Sequence, residues 1–127
     1  MVDTLKYNEW FIMGDKDLKG AKILYEYDGD WGLVCFHLQQ AVEKYIKGFL
    51  VYKTGMLQSG HNLFKLCKVA STCDKEFNRF LKDCAFLNAY YIETRYPAEE
   101  ALVAAKEDVE ESLKISESII EYVKKKV

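Results

Sequence analysis

Apolar residues return at alternating steps of four and three through successive stretches of this chain, and one proline, Pro97, interrupts them. That spacing draws an apolar stripe along one side of an α-helix; a half-buried strand would alternate every second residue instead. The first stripe, Tyr7, Phe11, Gly14, Leu18, Ala21 and Tyr25 with Trp10 and Leu24 beside it, predicts a helix from about Thr4 to Tyr27. Lys6, Lys16, Asp17 and Lys19 are its expected solvent-side charges. Tyr27-Asp-Gly-Asp then reads as a turn. A second helix, about Asp30 to Lys53, carries the broadest apolar face: Val34, Leu38, Ala41, Tyr45, Phe49 and Tyr52, flanked by Val42, Ile46 and Leu50. Its expected polar edge holds Gln40, Glu43, Lys44 and Lys47.

After a loop at Thr54–Gly60, a shorter helix is expected from about His61 to Ala70, with Leu63, Leu66, Cys67 and Ala70 inward. Ser71-Thr-Cys-Asp supplies a break, and a fourth helix follows from about Asp74 to Ile92 through Phe77, Leu81, Cys84, Leu87 and Tyr91. The fifth is expected to start near Pro97, with Glu99 and Glu100 at its positive end and Lys124, Lys125 and Lys126 at its negative end. Leu102, Ala105, Val109, Leu113, Ser116, Ile120 and Val123 form its inward face. Long helices with short connections pack most simply as antiparallel neighbours, so the expected fold is all-α: an up-and-down bundle of four to five helices in a single domain over residues 1–127. Gly14, Gly20 and Gly48 stand inside helices, where glycine costs stability; close helix approach would explain them.

The formal net charge of −2 gives no global field for nucleic acid, so such a role would need a local basic patch. No apolar run reaches the length of a membrane span, and the opening Met1-Val-Asp-Thr-Leu-Lys lacks the apolar stretch of a signal peptide. Cys35, Cys67, Cys73 and Cys84 contain no Cys-x-x-Cys pair and read as reduced thiols, pointing to a cytoplasmic protein without membrane contact. Neither His37 nor His61 has a second ligand at metal spacing, and no glycine-rich phosphate loop is present, so no cofactor and no metal are expected.

Several segments together resemble one family. Trp10 and Asp17-Leu18, then Gln39-Gln40-Ala41-Val42-Glu43-Lys44, then His61-Asn62-Leu63 and finally Tyr91-Ile-Glu-Thr-Arg-Tyr-Pro resemble the HEPN family in order and spacing. The resemblance implies a helical bundle that homodimerises, paired in many small members with a minimal nucleotidyltransferase, some such pairs acting as toxin and antitoxin. Members with ribonuclease activity carry an arginine and a later histidine with four to six residues between them. The matching arginine here is Arg95, but Glu100, Ala101 and Leu102 occupy the histidine positions.

Metal-independent RNA cleavage needs a proton acceptor, which histidine suits, and a charge acceptor for the phosphorane, which the arginine fork suits. Without the histidine, Arg95 keeps the second role and lacks an evident partner for the first; Glu99 or Glu100 could serve as a base, but a carboxylate would repel the phosphate that Arg95 attracts, so no catalytic residue is assigned. Arg95, Tyr91 and Tyr96 are the candidate nucleotide- or phosphate-binding residues: an anion-binding fork beside aromatic faces able to stack a base. The competing reading makes Arg95 an ion-pair partner of Glu93, Glu99 or a second subunit, and makes Tyr90, Tyr91 and Tyr96 packing residues. The leading expectation is a binding module for a nucleotide or RNA and for a nucleotidyltransferase. The alternatives are a ribonuclease toxin with a degenerate motif, in which His37 or His61 reaches Arg95 through the fold or a dimer, and a purely structural interaction protein.

Overall fold

The computed structural model of the chain describes residues 3–90 and 103–127. Among them are five α-helices and no strand: α1 Tyr7–Glu26, α2 Trp31–Thr54, α3 Leu63–Cys73, α4 Leu81–Asn88 and α5 Lys106–Lys126, with a 3-10 segment Lys75–Phe80 ahead of α4. No helix of the described residues is long and apolar enough to cross a membrane.

The breadth of the apolar face of α2 puts that helix at the centre, with α1, α3 and α5 against it. Ala41, Val42, Tyr45, Ile46, Phe49 and Leu50 of α2 meet Leu63, Leu66, Cys67 and Ala70 of α3, Phe77, Phe80, Cys84 and Leu87, and Ile115, Ile119, Ile120 and Val123 of α5 in one core. A smaller cluster at the other end joins Ala21, Val34, Cys35, Leu38, Tyr90 and Val109. Ser112, Ile115 and Ile119 widen the buried side of α5 beyond the predicted stripe.

Element boundaries differ from the sequence expectation for local reasons. The first helix begins at Tyr7 because Thr4 is committed elsewhere: its carbonyl accepts from Trp10 Nε1 at 2.9 Å and its hydroxyl oxygen accepts from the Lys6 amide at 3.0 Å. The third begins at Leu63, with Asn62 as its cap accepting from the Lys65 amide, and it runs through the expected Ser71-Thr72 break. Those two hydroxyls donate back to the carbonyls of Lys68 and Val69, both at 2.6 Å, and continue the helix instead of capping the next one. Asp74 makes the break, after which the chain forms a 3-10 segment and a short α4 rather than one long helix.

The last helix starts at Lys106, not near Pro97. Val103, Ala104 and Ala105 precede it outside any helix, so Ala105 is an exposed N-cap rather than an inward residue. The Asp108 carboxylate accepts the Ala105 amide at 2.8 Å and fixes the start, and Glu107 and Asp108 serve the dipole there, with Lys124, Lys125 and Lys126 at the far end. Pro97, Glu99, Glu100 and Leu102 lie outside the described residues.

Gly14 of α1 and Gly48 of α2 mark a close approach. A Cβ on Gly14 would stand 2.7 Å from the Tyr45 ring, and one on Gly48 would stand 2.6 Å from the Phe11 ring. Gly20 is different, with nothing within 4 Å of that point. Gly20→Ala should therefore stabilise the fold by about 0.8–1 kcal/mol through helix propensity alone, read as a raised urea midpoint with unchanged slope.

Asp74 also ties the C-terminal helix down. Tyr122 Oη donates to Asp74 Oδ2 at 2.5 Å, with Lys126 Nζ 4.0 Å from the same oxygen. The Tyr122 bond, more than any other contact, holds the Asp74 carboxyl below the usual carboxylate range. Burial and the same bond push the Tyr122 phenol up to about 12. A carboxyl depressed in the folded state adds stability above its unfolded pKa, and that stability is lost as pH falls through the depressed value. Tyr122→Phe should cost about 1 kcal/mol at neutral pH. Urea midpoints of wild type and variant should converge in acid, and a constant gap across pH would refute the coupling.

Candidate functional site

Of the polar edge of α2, Glu43 and Lys47 are buried and Gln40 and Lys44 half-buried. Glu43 is 3% exposed and Lys47 6%, and Gln39 beside them is fully covered. Glu43 Oε2 accepts from Lys47 Nζ at 3.2 Å and lies 2.9 Å from His61 Nδ1, while its Oε1 faces Gln40 Nε2 at 3.4 Å. Gln40 Nε2 also donates to Gln39 Oε1 at 2.7 Å, and Gln39 Nε2 donates to the His61 carbonyl at 3.4 Å. Lys47 Nζ sits 5.8 Å from the centre of the Trp10 ring. The entry to α1 thus covers one side of the edge and the loop before α3 covers the other.

A second network runs along the same helix. Asp17 of α1, expected among the solvent charges, turns to α2 and binds Lys44 Nζ through one oxygen and His37 Nδ1, at 3.1 Å, through the other. Also on α1, Asp15 accepts from Tyr45 Oη at 2.5 Å, and burial together with that bond pushes the Tyr45 phenol up. Each histidine therefore meets a carboxylate through Nδ1. A carboxylate only accepts, so Nδ1 carries the hydrogen in both rings, and ring orientation and tautomer are set together. His61 combines that support with a side chain 53% exposed.

The His61 loop is held from three helices. Its histidine bonds α2 through both ring and carbonyl, Asn62 caps α3, and the Leu63 amide donates to Asn88 Oδ1 of α4 at 2.8 Å. Beside this loop lies a recess of about 360 Å³ lined by Gln58, Ser59, Gly60, Asn62, Lys65, Leu66 and Val69. A second, more apolar cleft of about 540 Å³ runs past Thr4, Trp10, Ile12, Met13 and Lys44.

Of the residues singled out from sequence, Arg95, Tyr91 and Tyr96 lie outside the described residues, and so do Glu93 and Glu99. Tyr90 is buried against Phe86, Ala21, Val34, Cys35, Leu38 and Val109, so packing is its role. Burial, with Asp108 adding to it, pushes its phenol up to about 12. Cys35, Cys67 and Cys84 are buried and Cys73 is exposed. The partnership of Glu43 with His61 and of Asp17 with His37 was not read from sequence. The pairs join residues 18 and 20 positions apart, beyond the reach of any local periodicity.

A family model described as HEPN domain matches residues 7–126. Among solved structures, TT1696 from Thermus thermophilus is similar with a TM-score of 0.81 at 27% identity, over 98% of this chain and 100% of that one. ST0689, described as an archaeal HEPN homologue, is similar with a TM-score of 0.72 at 25% identity, over 95% of this chain and 97% of its own. No curated protein matches the chain.

Proposed function

The chain belongs to the HEPN family, and from that premise we propose that it is a binding module rather than a nuclease: a homodimer that docks a minimal nucleotidyltransferase, as in a toxin–antitoxin pair, and holds a nucleotide at Arg95, Tyr91 and Tyr96. The observation that carries this reading is the fate of the histidines. Glu100, Ala101 and Leu102 stand where a ribonuclease of the family would place one after Arg95, and both histidines of the chain, His37 and His61, fall before that arginine instead. Arg95 then supplies a planar fork for phosphate oxygens without the paired histidine that would take the proton. Exposed Ile12, Met13 and Ile23 along α1 support a docking role, because they offer apolar area to a partner. Light scattering of the pure protein at micromolar concentration should give twice the chain mass. A panel of nucleotides should raise its melting temperature for wild type and not for Arg95→Ala. A monomer would remove the dimer, and unshifted melts across the panel would remove the nucleotide.

One observation favours a second reading, a metal-independent ribonuclease. Glu43 orients and supports the half-exposed His61 ring in the way a general base requires. On that reading, RNA incubated with chelator is cut, and cutting is lost in both Arg95→Ala and His61→Ala. An intact RNA ladder at high protein concentration would eliminate it.

A further inference from the structure

Acidic residues outnumber basic ones in the whole chain, yet none occurs between Lys44 and Cys73, where Lys44, Lys47, Lys53, Lys65 and Lys68 all fall. Lys44 and Lys47 are consumed by Asp17 and Glu43. Lys65 and Lys68 are exposed, three residues apart on one face of α3, and among the described residues neither has an acidic partner within ion-pair distance. This is the local basic patch that a protein of negative net charge needs in order to hold a polyanion.

The recess beside His61 lies in this acid-free stretch. Its polar lining is an ammonium, a hydroxyl and two carboxamides, from Lys65, Ser59, Gln58 and Asn62, with no carboxylate, over a floor of Leu66 and Val69. Such a lining can donate hydrogen bonds to anionic oxygens and sets no formal negative charge against them. The walls are also pre-set, because the loop that forms them is anchored to α2 through His61, to α3 through Asn62 and to α4 through the Leu63 amide. A buried carboxylate spent on fixing a surface loop makes sense where the loop has to hold a shape, since preorganised donors lose less on binding. Phe64, next to Lys65 and partly exposed with Lys68 Nζ 5.6 Å from its ring centre, adds an aromatic face on the same helix.

We propose that the recess formed by the α2–α3 loop and Lys65 is a phosphate-binding site, taking the phosphate of a nucleotide whether free or at the end of an RNA strand. It shares with the reading above the class of ligand only and places it on different residues, so the two succeed or fail separately. The experiment is an amide-shift titration of the isotopically labelled full chain by NMR, with inorganic phosphate, a nucleoside monophosphate and a short 5′-phosphorylated oligoribonucleotide as probes. Wild type and Arg95→Ala should both show saturable shifts at Ser59, Gly60, Asn62 and Lys65 with a nucleotide probe. Lys65→Glu, a surface change that should leave the spectrum otherwise native, should weaken binding by at least about tenfold, and Lys65→Arg should retain it. Saturation by the monophosphate identifies a free nucleotide as sufficient, and saturation by the oligonucleotide alone identifies the strand end. Shifts abolished by Arg95→Ala but untouched by Lys65→Glu would overturn the recess and leave the Arg95 reading standing. Absence of saturable shifts at the recess with every probe, or shifts with inorganic phosphate alone, would overturn it as well.

Discussion

Glu43→Ala should destabilise the protein by about 3–5 kcal/mol, far beyond the effect of removing a surface glutamate, because it strands a buried ammonium. In wild type the carboxylate answers Lys47, His61 and Gln40 together while almost fully covered. With it gone, Lys47 stays beneath the Trp10 ring at 5.8 Å with its desolvation uncompensated, and the α2–α3 loop loses its ring anchor. The melting temperature should fall by on the order of 10–20 °C in a domain of this size. Lys47→Met alone should also destabilise, since it leaves the carboxylate buried beside an apolar group. The double variant Glu43→Ala/Lys47→Met should recover much of the loss, because the desolvation cost of both ions disappears with their attraction. Urea unfolding of the four proteins closes the cycle. If each single variant costs no more than about 0.5 kcal/mol, the pair is hydrated and the network is an ordinary surface ion pair.

That network also shows where sequence reading reaches its limit. Helix type, helix order and most of the core were legible, because Leu38, Tyr45, Phe49, Leu66, Cys84 and Ile120 recur on one face of their own helices and nothing else need be known to place them inside. Gln39, Glu43 and Lys47 sit on the opposite phase of α2, and polarity there ordinarily means solvent. They are covered because Trp10 arrives from α1 and His61 from the next loop, a fact about tertiary neighbours that no window on α2 contains. The start of α5 was missed for a different reason. Ala105 has no capping side chain, so the only local signals were Glu107 and Asp108 just inside, and the helix-favouring Pro97 outweighed them. Lys65 is the instructive case, because the run without acids around it can be read directly from the sequence by counting charges per segment rather than over the chain. The geometry that turns that run into a recess cannot.

Gly48→Val should cost roughly 2–3 kcal/mol by overpacking, the opposite sign from Gly20→Ala, although both replace a helix-interior glycine with a larger side chain. The contact at Gly48 is reciprocal with that at Gly14. Gly14 of α1 lies against the Tyr45 ring of α2, and Gly48 of α2 lies against the Phe11 ring of α1. Phe11 and Tyr45 are themselves stacked, with centroids 4.8 Å apart and planes 15° from parallel, so neither ring can yield to a new methyl without moving the other onto a glycine. Tyr7 closes the edge of Phe11 at 5.8 Å, and the Trp10 Cβ stands 3.0 Å from the point where the Gly48 Cβ would lie. Relief must therefore come from α1 shifting as a body, and that shift lifts Trp10 from Lys47 and admits water to the buried pair. The stability loss should accordingly appear together with a red-shifted tryptophan emission. It should also shrink the penalty of Glu43→Ala when the two changes are combined, because a hydrated ammonium no longer needs its carboxylate. Additive penalties with unchanged emission would mean that the helix contact and the polar network are independent, and a stabilising Gly48→Ala would mean that α1 and α2 lie farther apart than the ring contacts require.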